Sequence, residues 1–414
     1  MKNISLEIKT LCCLIMLLGI SEICVAQSAI YKVTAYGANP NDKLDDTESI
    51  QKCINDALQS NENITIQFPK SKSSTYGYRI NKSIQVDIVK NHAITISGDM
   101  NGYTNLFMRG EATRFPIYCG LYIRSKPEYS GTVTVTGFNI EGKFSKSLQS
   151  YIDQATGAKG IFLVNIRKAV IAQNRFKNIY GDGIWCNGSN TVDATDKITI
   201  ENNRFINVFG LNLTADKYSG GENYDNYGDG ISITNLQNVL IQNNVITNNL
   251  LESNSYGRAG IVLERNSANC TLINNVINGY DRGIHIEGDK GGHMISNNNI
   301  SGTNMAIFVY SVKRTGKNPL QILNNQFSYN NESTKYKLTH LHAAYPVFIL
   351  IDGNQSEHLV GTVIRNNTFT YEQPIAPKKI VNDFLYIPLQ GGVSWCGNTY
   401  YSGKTKLSID KDCK

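Results

Sequence analysis

Charge is sparse in this chain: 18% of its 414 residues are charged, and proline (9), histidine (6) and tryptophan (2) are few. So few charges beside 41% hydrophobic residues exclude a disordered, self-repelling chain, and the length suits one large core or two ordinary ones. Nine prolines exclude collagen-like and proline-rich classes despite 35 glycines. No apolar run approaches the ~18 residues of a membrane helix. There is no CxxC pair and no Cys/His cluster, which argues against structural zinc. The basic residues behind the net charge of +6 form no long block and no nucleic-acid motif. The aromatic set is skewed towards tyrosine, with 23 against 14 phenylalanines.

The first 26 residues read as a secretory signal. Lys2 and Lys9 precede an apolar run of ten at 11–20, and Cys24-Val25-Ala26 supplies a small-x-small cleavage pattern before Gln27. The expected mature protein, 27–414, is a single secreted or periplasmic domain. Removal of Lys2, Lys9, Glu7 and Glu22 leaves its charge at +6. Its cysteines are 53, 119, 186, 270, 396 and 413. Export permits disulfides, and Cys396 with Cys413 is the best pair. Cys186 and Cys270 sit at apolar strand positions and are expected as buried thiols.

What is abundant is a repeat. Asparagine, usually doubled, recurs two residues before Phe176, Phe205, Ile246, Ile277, Ile300, Phe327 and Phe369, at steps of 29, 41, 31, 23, 27 and 42. A second motif, mostly Gly-Ile, opens short alternating strands at Ile161, Ile184, Ile231, Ile261, Ile284 and Ile307, at steps of 23, 47, 30, 23 and 23. A minimum of 23 with occasional insertions describes coils of short strands that must stack to bury their faces. Parallel stacking places equivalent residues ~4.8 Å apart, so asparagines at one turn position should form an amide ladder.

One end of such a stack needs a cover. Asp45-Asp46-Thr47-Glu48 carries a capping signature, and Ile50, Cys53, Ile54, Ala57 and Leu58 share a helical face. Val33-x-x-Tyr36-Gly37-Ala38 followed by Asp45-Asp46-Thr47-x-x-Ile50-Gln51-x-x-Ile54-x-x-Ala57 resembles the N-terminal cap of the pectate-lyase-like right-handed parallel β-helix superfamily. The family usually has Gly-Asp-Gly before Asp-Asp-Thr, where this chain has 41–44 as Asn-Asp-Lys-Leu. The resemblance implies an all-β, single-stranded right-handed parallel β-helix. Its N-terminal cap is expected over about 31–60, its coils over about 61–370 and a C-terminal cap over about 371–414. It does not choose a reaction, since polygalacturonases, lyases, epimerases and phage tailspikes share that opening.

Strand alternation sorts the residues by face. After each inward isoleucine, one outward column reads Phe162, Trp185, Ser232, Val262, His285, Phe308, and another reads Val164, Asn187, Thr234, Glu264, Glu287, Tyr310. Between them Leu163, Cys186, Ile233, Leu263, Ile286 and Val309 point in. Before the glycines lie Asp182, Asp229, Ala259, Arg282 and Met305, with Tyr-Gly-Asp-Gly-Ile occurring at 180–184 and again at 227–231. The face is expected to be a long groove. Asp182-Gly183 is similar to the first site of polygalacturonase-like glycosidases and Gly228-Asp229 takes the place of the second. The doubled Asp is missing, Arg258-Ala259-Gly260 stands where Gly-His-Gly would be, and Arg282 comes near the Arg-x-Lys place.

Cleavage of a glycosidic bond needs one protonated and one ionised carboxyl, and stacked acids provide the difference by repulsion. Asp182 and Asp229 are the first candidate pair, and Glu264 with Glu287 the second. His285, outward beside the two glutamates, can be an acid, a base or a sugar ligand. Arg258 and Arg282 are candidates for holding an acidic sugar. Trp185, Tyr227, Tyr256 and Tyr310 are candidate stacking residues, two of them on insertions at 211–227 and 250–257. A further insertion, 328–346, carries His340 and His342. The leading expectation is a polysaccharide hydrolase. A lyase or epimerase using His285 or a nearby tyrosine as base and arginines as carboxylate clamps stays open, as does a non-catalytic carbohydrate-binding protein. No cofactor is required; the four acids could hold calcium. Monomer and homotrimer are both open.

Overall fold

The computed structural model describes residues 28–99, 104–110, 117–126, 128–143, 158–188, 193–209, 228–249, 258–310, 314–329, 347–352, 356–373, 384–387 and 392–410. Short parallel strands stack coil on coil into a parallel β-helix. One sheet has twelve strands, from Ala29–Lys32 to Val393–Cys396, and a second has twenty-one. The larger sheet is two faces joined by Arg175–Asn187. Residues 175–177 of that strand pair with Asn139–Glu141, while 184–187 pair with Asp229–Thr234.

The register is the one the isoleucine spacing requires. Ile161 pairs with Ile184, Ile184 with Ile231, Ile231 with Ile261, Ile261 with Ile284 and Ile284 with Ile307. All six isoleucines are fully buried, as are Cys186 and Cys270, whose thiols are free. Burial in apolar surroundings pushes the Cys270 thiol up to about 12, so it stays protonated and inert. Cys396 is disulfide-bonded. Its expected partner Cys413 lies outside the described residues, as do the signal segment, Tyr227, Tyr256, His340 and His342.

The asparagine ladder is present and continues one coil further than the motif suggested. The second asparagine of each pair donates its amide to the next, from Asn174 through Asn203, Asn244, Asn275, Asn298, Asn325 and Asn367 to Asn398. The first asparagine turns the corner: Asn202, Asn243, Asn274, Asn297, Asn324 and Asn366 all have φ between 54° and 56°. Asparagine tolerates that left-handed conformation, which explains the doubling.

The N-terminal end is covered by a helix, Thr47–Ala57, which buries Ile50, Cys53, Ile54 and Ala57. Its start differs from the expected capping box. Asp46 is the N-cap residue but makes no capping hydrogen bond with its side chain. It accepts instead from the backbone N–H groups of Asn39 (2.7 Å) and Arg79 (2.9 Å), tying the helix to the first coils. Asp45 takes the nearer task, accepting from the Thr47 N–H at 3.1 Å. At the other end Thr405–Ile409 folds back antiparallel on Thr399–Ser402.

Candidate functional site

The recurring step of the coil is the pinch before the inward isoleucines from Ile161 to Ile284. Gly228 enters it with φ 93°. At Gly230 a Cβ would lie 2.5 Å from the Gly260 carbonyl oxygen, and at Gly260 it would lie 2.9 Å from that of Gly283. At these glycines the coils approach too closely for a side chain, and the parallel register sets the preceding residues in one outward column. Lys159, Asp182, Asp229, Ala259, Arg282 and Met305 are successive members of it. Lys159 was not singled out from the sequence. Its signal was available, since Lys159-Gly160-Ile161 repeats the Asp182-Gly183-Ile184 pattern one coil earlier.

The two aspartates do not face one another as a bare repelling pair. Each has its own cation, because a carboxylate buried on this face needs one. Asp182 is salt-bridged to Lys159 and also accepts the Asp229 N–H at 2.9 Å. Asp229 meets Arg258 Nη2 at 2.7 Å and accepts the Ala259 N–H at 3.1 Å. The side chains of Asp182 and Asp229 are 8% and 5% exposed, so the acids expected to stand open are covered. Burial raises the Asp229 carboxyl to about 6, against the lowering effect of Arg258 and with small upward contributions from Asp182 and Glu264.

Arg258 also reaches the second acid column, with Nη1 2.9 Å from Glu264 Oε1. Glu264 and Glu287 are in register on adjacent strands, Ala259–Glu264 and Arg282–Glu287. Their side chains are 16% and 24% exposed, the most accessible acids of the cluster. His285 lies between them and is buried, contrary to the open position expected for it. Its Nδ1 is 2.5 Å from Arg282 Nη1 and its Nε2 is 2.9 Å from Glu287 Oε2. A guanidinium only donates, so Nδ1 accepts and the proton sits on Nε2, where it is donated to Glu287. Burial and then the Arg282 charge lower the imidazole to about 3, so it is neutral at ordinary pH. Its ring meets Phe308 edge-on at 5.1 Å.

Arg282 is also 3.5 Å from Asp281 and lies over the Phe308 ring at 4.9 Å, so neither arginine stands as an open clamp. The aromatic candidates are built into stacks. Trp185 packs flat on Phe162 at 4.6 Å, which packs on Tyr122 at 5.2 Å, and the indole N–H donates to Thr234 Oγ1 at 3.1 Å. Tyr310 stacks on Phe308 at 6.2 Å. Trp185 and Tyr310 each keep part of their surface exposed.

Coil stacking, sheet register and a charged strip along one face define a right-handed parallel β-helix protein. Residues 145–371 match the family model described as NosD, periplasmic copper-binding protein. The chain belongs to that family. Among solved structures it is similar to a hyperthermoactive exopolygalacturonase from Thermotoga maritima, at 10% identity and TM-score 0.56 over 93% of this chain and 95% of that one. It is also similar to the A-module of the mannuronan C-5 epimerase AlgE4 from Azotobacter vinelandii, at 14% identity and TM-score 0.51 over 92% and 98%. The catalytic unit of a GH87 α-1,3-glucanase from Streptomyces thermodiastaticus matches at 14% and 0.53, over 92% of this chain and 65% of that one. At such identities the likeness establishes the fold alone. No curated protein sequence is significantly similar.

Proposed function

We propose that this protein is a secreted or periplasmic glycoside hydrolase that cleaves a polysaccharide with Glu264 and Glu287 as its carboxyl pair. The observation that carries this reading is their placement. They are in register on neighbouring strands, are the most accessible acids of the salt-bridged cluster, and lie with His285 so that one ligand atom from each falls within 4.8 Å of the others. An oxygen of Glu264 and one of Glu287 thus approach within 4.8 Å, short of the ~6.5–9.5 Å of inverting enzymes and on the side of the ~5–5.5 Å of retaining ones. The structures of similar fold include enzymes named for glycan chemistry, which is consistent with this use of the face.

Roles follow from the neighbours. Glu264, with a guanidinium 2.9 Å away, suits the nucleophile, which must be ionised when it attacks the anomeric carbon. Glu287 faces neutral His285 and takes the acid role, passing its proton to the departing glycosidic oxygen. In the second step Glu287, now ionised, removes a proton from water, which releases the sugar from Glu264 with retained configuration. Asp182 and Asp229, first in the sequence reading, become positioning residues that hold Lys159 and Arg258. Of the bases a lyase or epimerase could use, His285 or a nearby tyrosine, His285 has both ring nitrogens engaged and a shift to about 3, which weigh against that role.

The family description names copper, and Glu264, His285 and Glu287 form the one three-donor cluster among the described residues. They do not fit a copper ion. Arg282 fixes the proton on Nε2, the nitrogen that points at the glutamates, and Arg258 already places a positive charge on Glu264. The same guanidinium disfavours calcium there.

The test is incubation with a polysaccharide panel, following reducing ends, unsaturated-uronate absorbance and the anomeric configuration of the first product. New reducing ends with retained configuration and no absorbance are expected. Glu264→Ala and Glu287→Ala should each lose at least ~10³-fold on polysaccharide, with azide restoring turnover as a glycosyl azide on an aryl glycoside whose leaving group needs no proton. Absorbance rising with the reducing ends would replace this reading by elimination chemistry.

A further inference from the structure

We infer that the polymer taken by this groove carries no carboxylates: its substrate is an uncharged polysaccharide rather than a polyuronate. The inference rests on the groove being the glycan-cleaving site.

Every cation described on this face has an internal acid beside it. Lys159 is held by Asp182; Arg258 spans Asp229 and Glu264; Arg282 lies by Asp281. With His285 neutral and Glu287 holding the proton it needs as the acid, the three cations meet four carboxylates, Asp182, Asp229, Glu264 and Asp281, so this charged cluster is negative within a chain of net charge +6. The order of exposure sharpens the point. The carboxyl residues at the mouth, Glu264 and Glu287, have side chains 16% and 24% exposed, whereas those of Lys159, Arg258 and Arg282 are 13%, 13% and 5% exposed behind them.

Recognition of a uronate needs a guanidinium or ammonium able to turn towards it. Here a uronate would have to take Arg258 or Arg282 from an internal carboxylate and leave that acid buried without its partner. It would also lie against the ionised, part-exposed Glu264, of like charge. An uncharged sugar meets neither obstacle, and its hydroxyls can donate to both glutamates.

The aromatic residues fit the same ligand. Trp185 and Tyr310 flank the acids on the same face, with Ser232, Val262 and His285 on the coils between. Four coil steps at ~4.8 Å put them about 19 Å apart, room for a short run of sugar rings along the helix axis. Ring faces stack on the apolar faces of sugars without any need for charge.

The experiment uses matched polymers: polygalacturonate and alginate, each beside its own carboxyl-reduced form, together with neutral glucans, galactans and mannans. Affinity electrophoresis and product release are read for the full chain in 0.15 M salt or more, where the attraction of the positively charged chain for any polyanion is largely screened. The expected result is that within each pair the reduced polymer is bound at least tenfold more tightly, and that Glu264→Gln, which removes the ionised glutamate and releases Arg258 from it, raises affinity for the carboxylate form several-fold. Equal or tighter binding of the carboxylate forms overturns the inference, as does retention of no polymer. The two readings fail separately. Preference for reduced polymers without any product removes the hydrolase and leaves the charge preference, whereas hydrolysis confined to polyuronates does the reverse.

Discussion

Arg282 Nη1 lies 2.5 Å from His285 Nδ1, and this contact decides which nitrogen of the imidazole carries the proton. The proton is thereby directed at Glu287, and His285 becomes a neutral donor instead of a base. Replacing the guanidinium should undo both effects. In Arg282→Met the His285 pKa should rise from about 3 towards, without reaching, its ordinary ~6.5, because burial still opposes charge. Nitrogen-15 NMR of the imidazole reads tautomer and pKa together. An unchanged titration would show that Arg282 does not set the ring's state.

The titrations of His285 and Asp229 have opposite effects on stability. His285 is lowered from 6.5 to about 3, so its contribution is present above 6.5 and is lost as pH falls through 3. Asp229 is raised from 3.8 to about 6, so its contribution is present below 3.8 and is lost as pH rises through 6. Between pH 4 and 6 the two slopes cancel in the parent protein. Relative to it, His285→Gln should make stability fall with rising pH by about 1.4 kcal/mol per unit, and Asp229→Asn should make it rise by a similar amount. Urea midpoints across that range give both signs, and equal slopes in all three proteins would contradict the assignment.

Interrupting the amide ladder should weaken the whole stack. Asn275 donates to Asn298 Oδ1 and to the Ile241 carbonyl at 3.0 and 2.9 Å, and accepts from the Asn244 N–H and amide at 3.1 and 3.0 Å. Asn275→Ala leaves those buried groups without a partner and should cost about 2–4 kcal/mol. Asn275→Asp should cost more, since the aspartate cannot donate to Asn298 and must be ionised or protonated in a buried row. Chemical denaturation measures both, and a loss below ~1 kcal/mol in either would mean that water replaces the ladder.

The pinch before each isoleucine predicts an asymmetry between alanine and glycine. In Gly230→Ala the new methyl would lie 2.5 Å from the Gly260 carbonyl oxygen and 2.7 Å from Ile246, so the coil must open, at about 1–3 kcal/mol. Ala306 occupies the corresponding position further along this column, followed by Phe348, and Ala306→Gly should cost only about 1 kcal/mol or less. Thermal melts of the two variants decide whether close approach, and not turn conformation, keeps glycine at 230.

The repeat was readable because a stacked coil must present the same residue type at the same place on every turn. Isoleucine spacing gave the register pair by pair, and Asn-Asn marked the corner residue with its positive φ and the ladder residue behind it. The outward columns were also read correctly as columns. Their accessibility was not, because exposure depends on what a side chain finds across coils. His285 alternates outward by its strand and is covered all the same. Lys159, 23 residues before Asp182, is set beside it by the repeat, but the repeat does not say that the two side chains join in a salt bridge. The helix start shows the same limit, since Asp46 serves the Asn39 and Arg79 amides instead of its own helix.

The sequence by itself determined the architecture: a periodic pattern of inward aliphatic residues, close-approach glycines and turn asparagines has one way of burying its strands, and that way is a stacked parallel coil. The tertiary structure decided the chemistry of the face. Salt bridges join residues 23, 29 and 6 positions apart, Lys159 with Asp182, Asp229 with Arg258 and Arg258 with Glu264. Those pairings moved the accessible acids from the aspartates to Glu264 and Glu287. Charge partnership is a matter of a few ångströms in three dimensions, and a strand pattern that fixes which way a side chain points does not fix which opposite charge reaches it.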